Sequence, residues 1–219
     1  MMRLDVCKHV EETGIIPAVR TSSAEDALFA AETVYKAGIR VAEITMTIPG
    51  ATDVITQLVR TMPGIIVGGG TVLDTETAKR CLDAGAVFLS SPGLVMEVME
   101  FAQRRDVAVF PGALTPTEVI AAWKAEADFV KIYPCARVGG HQYLRSLKVP
   151  LPQIGLIASG GVNQQTASDF ILSGASALGI GVELLPKDAI RRRREDHILE
   201  LARRFLAMVK TAREAGVPA

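Results

Sequence analysis

"ADFVKIYP", residues 127–134, sets a lysine in the middle of an apolar run that otherwise has the composition of a buried strand. Phe129, Val130 and Ile132 surround Lys131. An ammonium there has to leave water, at a cost of several kcal/mol unless it is paired or neutral. A second run of the same kind, "VAEITMT" (41–47), carries Glu43 among apolar and β-branched residues. Whether the two charges can meet depends on how many strands separate them, so the strands have to be counted.

One unit recurs along the chain: a short β-branched run, a break of Gly, Pro, Ser or Thr, then an amphipathic stretch. "GIIPAVR" (14–20) leads to the helical "AEDALFAAETVYKAG", with Ser22 or Ser23 placed to cap it and Gly38 to close it. "VAEITMT" leads to a helix over 51–62, "IIVGGGTV" (65–72) to one over 75–84, and "VFLSSPG" (87–93) to one ending at 105. "VAVFPGA" (107–113) precedes a helix ending at 125, and "DFVKIYP" (128–134) a shorter one over 141–147. "GLIASGGV" (155–162) precedes a helix over 164–172, and "ALGIGVELL" (177–185) a long last helix over 194–212. Eight such units predict an α/β fold, a (β/α)8 TIM barrel formed as a single domain over residues 1–219. "MMRLDVCKHVEET" is expected to be a short N-terminal helix ahead of it. An open doubly wound sheet is the alternative, but "AVRTSS" after the first strand lacks that fold's glycine fingerprint.

Composition narrows the function classes. Lys+Arg and Asp+Glu number 24 each, so no net field draws in nucleic acid or an anionic membrane. Cys7, Cys81 and Cys135 are odd in number and lack CxxC spacing, which argues against a disulfide framework or a thiolate metal site. A reducing, cytoplasmic setting is expected. No uninterrupted apolar stretch is long enough for a membrane span, and the N-terminus is not of signal-peptide type.

Barrel enzymes carry their reactive groups at the C-terminal ends of strands. Here those ends hold Arg20, Glu43, Thr45, Thr47, Thr71, Ser90, Ser91, Pro111, Lys131, Ser159, Gly181 and Glu183. Glu43 falls on the second strand and Lys131 on the sixth. Inward side chains of alternate strands share layers, so these two can meet across the axis. A buried ion bridge would account for the pair structurally, although such a bridge rarely stabilises more than apolar packing of the same volume. The chemical reading accounts for the choice of lysine. Desolvation favours a neutral amine, which can attack a carbonyl and form an imine, and a neighbouring carboxylate can move the protons.

Barrels also tend to bind phosphate after strands seven and eight, on backbone N–H groups. "ASGGVN" (158–163) and "GIG" (179–181) supply glycines at those two places. His9, His141 and His197 are scattered, so no metal site is expected. The arginine run at 191–194 is followed by acidic residues and is expected to be a solvated helix start or a subunit contact. Cys135 and Trp123 are expected to be packing residues.

The ordered set "GIIPAVR", "VAEITMTIPGA", "VGGGTVLD", "AGAVFLSSPG", "FPGALTPTEV", "ADFVKIYPC", "LPQIGLIASGGVN" and "GIGVELLP" resembles the class I aldolases of the 2-keto-3-deoxy-6-phosphogluconate / 4-hydroxy-2-oxoglutarate family. The resemblance implies a (β/α)8 barrel, assembled as a homotrimer, that splits a 2-keto-4-hydroxy acid into pyruvate and an aldehyde without a cofactor. It implies Lys131 as the Schiff-base lysine and Glu43 as the general acid/base. Thr71 resembles the threonine that holds the pyruvate carboxylate, and Pro92 lies in a matching substrate-binding segment. Ser159, Gly160 and Gly161, with Gly181, resemble the phosphate-binding turns. Two positions depart from the family. Thr47 stands where well-known members have an arginine, and Arg20 is the candidate to supply that charge. Val182, followed by Glu183, stands where others have a serine at the phosphate, which leaves an unphosphorylated substrate open. A phosphate-binding isomerase or synthase without a covalent lysine is the competing enzyme class, and a catalytically inert binding barrel the non-enzymatic one.

Overall fold

The computed structural model describes residues 2–216; Met1, at the head of the expected first helix, and residues 217–219 lie outside it. Helix α1 (Arg3–Thr13) precedes β1 (Ile15–Val19), α2 (Ala24–Lys36), β2 (Val41–Thr45) and α3 (Ala51–Thr61). Then come β3 (Ile66–Gly70), α4 (Thr75–Asp83), β4 (Phe88–Ser90) and α5 (Met96–Arg104). The fifth barrel strand is in two pieces, β5 (Ala108–Phe110) and β6 (Gly112–Ala113), so later strand labels run one ahead of the barrel position. The remainder is α6 (Pro116–Lys124), β7 (Val130–Ile132), α7 (Gly140–Lys148), β8 (Leu156–Ser159), α8 (Ala167–Leu172), β9 (Ala175–Ile180), α9 (Lys187–Arg191) and α10 (Glu195–Gly216).

The strands lie side by side in the order β5-β4-β3-β2-β1-β9-β8-β7-β6, each hydrogen-bonded pair parallel. The two ends of that order are the two pieces of one strand. They part at Pro111, which has no N–H for a ladder bond. Its carbonyl still accepts the Lys131 N–H at 2.9 Å, and the sheet curls into a nearly closed barrel.

The register fixes which side chains share a level inside. With the barrel shear of about eight, a layer climbs two residues for every two strands. Following the pairings Glu43↔Gly68↔Phe88, Ser90↔Phe110, Gly112↔Lys131↔Ile157↔Ala177 and Gly179↔Ile16 gives four levels. Lowest are Val41, Phe88, Phe129 and Ala177; above them lie Ile16, Gly68, Phe110 and Ile157. These seven side chains, with Ile66 and Ala108 and with Val6 and Val10 of α1, make one buried cluster. The Phe88 and Phe110 ring centroids are 5.0 Å apart, and Phe110 and Phe129 meet edge-on at 5.6 Å. Gly68 makes room for this stack, because a Cβ there would lie 2.2 Å from the Phe88 ring. Each large apolar side chain so buried contributes roughly 1.5–3 kcal/mol. The α1 helix plugs the lower end and is tied down by Arg3, whose Nε donates to Asp128 at 2.7 Å.

The third level is Glu43, Ser90, Lys131 and Gly179, and the fourth is Ala18, Gly70, Gly112 and Ser159. Apolar packing below thus gives way to a charged layer, and then to a layer with almost no side-chain bulk.

The outer shell departs from the sequence reading in four places. The last strand ends at Ile180 rather than 185, because the Leu184 and Leu185 N–H groups both turn back to the Gly181 carbonyl, at 3.0 and 2.9 Å. The short α9 follows that turn and was not expected. Helix α8 starts at Ala167, since Asn163 and Thr166 hold the preceding residues in a hydrogen-bonded turn. Trp123 is 43% exposed, while Val119 and Ala122 form the buried face of α6. The arginine run ties elements together: Arg191 and Arg192 pair with Asp188, and Arg193 reaches Glu25 and Asp26 on α2 while lying over the Phe29 ring.

Candidate active site

Lys131 and Glu43 come together across the barrel axis. Lys131 Nζ lies 3.2 Å from Glu43 Oε1 and 3.1 Å from Oε2, and a third contact of 3.1 Å runs to Ser90 Oγ. The lysine side chain keeps 10% exposure and the glutamate 6%, so the pair is nearly dry but reachable from the mouth. All three polar directions of an ammonium find an oxygen, and among the described residues no buried side-chain polar atom lacks a partner. Ser90 is the member that sequence reasoning did not select. It was visible only as one of two adjacent strand-end serines, and barrel register is needed to place it on the level of Lys131.

Glycines let neighbouring groups close in around this level. A Cβ on Gly70 would come within 2.4 Å of Glu43 Oε1, one on Gly112 within 2.1 Å of the Pro92 carbonyl, and one on Gly179 within 2.7 Å of Ser159 Oγ. The lysine–carboxylate pair therefore lies beneath a layer of Ala18, Gly70, Gly112 and Ser159, toward the C-terminal ends of the strands.

At the rim, Arg20 donates from its guanidinium to Thr71 Oγ1 at 3.2 Å. Thr71 itself has φ 58°, a left-handed conformation that is costly for a β-branched residue. Such strain is held by the surrounding structure, here at the step between Gly70 and the α4 loop. Thr45 donates to the Val19 carbonyl at 2.9 Å and lies 3.1 Å from Thr47 Oγ1, so Thr47 is fixed on the β2 side of the mouth but exposed. Pro92 is also exposed on the rim.

Across from them, Ser159 is buried and Gly160 and Gly161 have φ 86° and 92°. Their turn is pressed against the segment after β7: a Cβ on Gly161 would lie 2.4 Å from Ala136 Cβ, and the Ala136 N–H donates to the Gly160 carbonyl at 3.0 Å. Ser159 is in register with Gly179, which puts the Gly181 turn next to it. Val182 and Glu183 are both exposed. The structure brings together the Lys131–Glu43 pair and sets the two glycine turns side by side, as the sequence reading grouped them, and adds a contact between Arg20 and Thr71 that the sequence did not pair.

Burial raises the pKa of all three thiols. Cys135, four residues beyond the lysine, is fully buried, and burial pushes its thiol up to about 12. Burial does the same to Cys7, up to about 12, and to Cys81, up to about 11. Among the described residues no group of three His, Cys, Asp or Glu is placed to hold a metal ion, and no helix is long and apolar enough to cross a membrane.

Comparison with known proteins places this arrangement. The family model for KDPG and KHG aldolase matches residues 6–201. The KHG/KDPG aldolase of Escherichia coli K12 is 29% identical over 190 residues, covering 86% of this chain and 89% of its own. A 2-dehydro-3-deoxy-phosphogluconate aldolase from Haemophilus influenzae is 28% identical, covering 94% of this chain and 97% of its own. Among solved structures, a KDPG aldolase from Legionella pneumophila, with pyruvate captured as a covalent carbinolamine intermediate, superposes with TM-score 0.84 at 27% identity, covering 90% and 96% of the two chains. With a parallel barrel, a match over nearly its whole length and relatives of one activity class, the chain belongs to the KDPG and KHG aldolase family, class I aldolases that act as carbon–carbon lyases.

Proposed function

We propose that this chain cleaves a 2-keto-4-hydroxy acid to pyruvate and an aldehyde through an imine on Lys131. The substrate is 2-keto-3-deoxy-6-phosphogluconate, 4-hydroxy-2-oxoglutarate or both, with glyceraldehyde 3-phosphate or glyoxylate as the aldehyde. One observation carries the reading: Lys131 Nζ stands 3.1 Å from Glu43 in a buried layer near the C-terminal ends of the strands. A buried ion pair kept for stability alone rarely gains over apolar packing of the same volume. The covalent carbinolamine of the Legionella relative supports the same chemistry.

In this reaction Nζ, having passed a proton to Glu43, attacks the C2 carbonyl. The oxygen takes one proton back from Glu43 and one from Nζ, and its loss as water leaves the protonated imine. Glu43, ionised again, takes the C4 hydroxyl proton as the C3–C4 bond breaks and its electron pair passes into an enamine. That proton is returned to C3, and water hydrolyses the imine to release pyruvate. Arg20 and Thr71 hold the substrate carboxylate at the rim, with Thr47 and Pro92 as neighbouring wall. Ser159, Gly160, Gly161 and Gly181 receive the distal end. The protein works as one domain, without a cofactor or metal, as a cytoplasmic homotrimer; sedimentation measures the last of these.

Borohydride reduction in the presence of pyruvate tests the mechanism. The expected result is a stable adduct on Lys131, found by peptide mass mapping, and loss of turnover in Lys131→Met. A label on Lys124 or Lys148, or none at all, overturns the imine.

A further inference from the structure

Ser90 touches the nitrogen that the proposed reaction uses. Its Oγ is 3.1 Å from Lys131 Nζ, and the residue is 1% exposed. It belongs to the same level as Lys131 and Glu43, on the barrel strand midway between theirs, while the fourth member of that level, Gly179, has no side chain. The level therefore holds three functional groups and one vacancy. Among the described residues Glu43 is the one charged group within ion-pair distance of Nζ. Gly112 and Ile157, which flank Lys131 in register on β6 and β8, carry no titratable group, and the rim cation Arg20 is turned to Thr71.

We propose that Ser90 is a third catalytic residue, resting on the imine reading above. A hydroxyl can accept one hydrogen bond and donate another, which a carboxylate cannot do in its ionised form. While Nζ is an ammonium, Ser90 Oγ accepts one of its N–H bonds and Glu43 accepts the other two. When a proton moves to Glu43 and Nζ attacks C2, the Nζ–C2 bond forms and the carbonyl π pair passes to oxygen. That oxygen is bonded to the carbon joined to Nζ, so it develops charge within reach of the Ser90 O–H. Ser90 then donates to it. Ser90 also offers a route for the Glu43 proton: it gives its own proton to the oxygen and takes the one from Glu43, ending unchanged. The oxygen takes its second proton from Nζ of the adduct and leaves as water when the C2=N bond forms. Donors aimed at an oxygen that becomes charged during reaction act mainly in the transition state.

The test compares wild type, Ser90→Ala and Ser90→Thr by the rate of borohydride trapping of pyruvate, across pH and at several pyruvate concentrations. Without the hydroxyl, the saturating trapping rate is expected to fall about ten-fold or more, with the half-saturating pyruvate concentration within about three-fold of wild type. Ser90→Thr, which keeps the hydroxyl, restores the rate. A merely structural serine would alter the thermal midpoint without lowering the saturating rate at an unchanged half-saturating concentration. Ser90→Ala trapping within two-fold of wild type at every pH overturns the role of Ser90 and leaves the imine intact. Wild type that traps no pyruvate overturns the imine reading first, and the role of Ser90 with it.

Discussion

Glu43 is where the proposed chemistry is most exposed to a single change. Both of its carboxylate oxygens face Nζ, at 3.2 and 3.1 Å, so Glu43→Gln keeps the shape of the level and removes the proton acceptor. Positioned acid–base groups are typically worth about 10²–10⁴ in rate. Turnover of the mutant should fall by that range in a steady-state assay, while slow trapping of pyruvate persists; near-normal turnover would remove Glu43 from the reaction. Lys131 and Glu43 were legible in the sequence for a physical reason: an ionised group inside an apolar strand is costly, and needs a cause. Ser90 was not, because a serine at a strand end costs little there. Its significance lies in register across three strands, which no local pattern records. Arg20 was legible only as a cation at a strand end; its contact with Thr71 depends on a left-handed threonine that the sequence does not announce.

Helix α6 illustrates what a short element owes to its first turn. Thr115 Oγ1 accepts the Glu118 N–H at 3.3 Å, and Glu118 Oε2 accepts the N–H groups of Thr115 and Leu114 at 2.7 and 2.9 Å. Hydrogen bonds from the backbone of Thr115 and Leu114 hold the Glu118 carboxyl below its usual range. Thr115→Ala should therefore cost about 1 kcal/mol in urea unfolding at neutral pH. The Glu118 share has a definite pH sense. It is complete above the unfolded glutamate value of about 4.3 and fades as pH falls through the lowered native one. The stability gap between Glu118→Ala and wild type should therefore narrow in acid. Most elements were legible from the alternation of apolar runs and breaks, and two kinds of error were not avoidable. "VELL" after Gly181 reads as more strand, yet two N–H groups folding back on one carbonyl make it a turn. Trp123 reads as core, yet α6 is only nine residues long and buries a face two small side chains wide.

The molecule as a whole is electrically neutral, with 24 charges of each sign, so no long-range field selects a phosphorylated substrate. In the proposed reaction selection falls to the turns at residues 159–162 and 179–181, which contain no side-chain cation and offer backbone N–H groups. An anion on such groups gains about 0.3–1 kcal/mol when exposed and up to ~2 when partly buried. At about 1.4 kcal/mol per decade, the expected preference for a phosphorylated over an unphosphorylated substrate of equal length is on the order of ten-fold in kcat/KM. A thousand-fold preference would reveal a cation clamp that these turns lack, and strict rejection of phosphate would point to Glu183 turning inward.

The α1 plug closes the floor of the barrel. Val6 and Val10 lie in the buried cluster beneath the charged level, so in the proposed reaction substrate and products pass by the upper end, where Arg20, Thr71 and the glycine turns stand. Pyruvate, bound through nitrogen at the level of Lys131 in that reaction, is then the deeper of the two products, and the aldehyde stands between it and the exit. The order of departure follows: aldehyde first, pyruvate last. In steady-state inhibition, pyruvate should compete with the keto-acid substrate for the empty enzyme, whereas the aldehyde should lower both the slope-determined and the saturating rates. The opposite pattern would mean that a second way out exists through the floor.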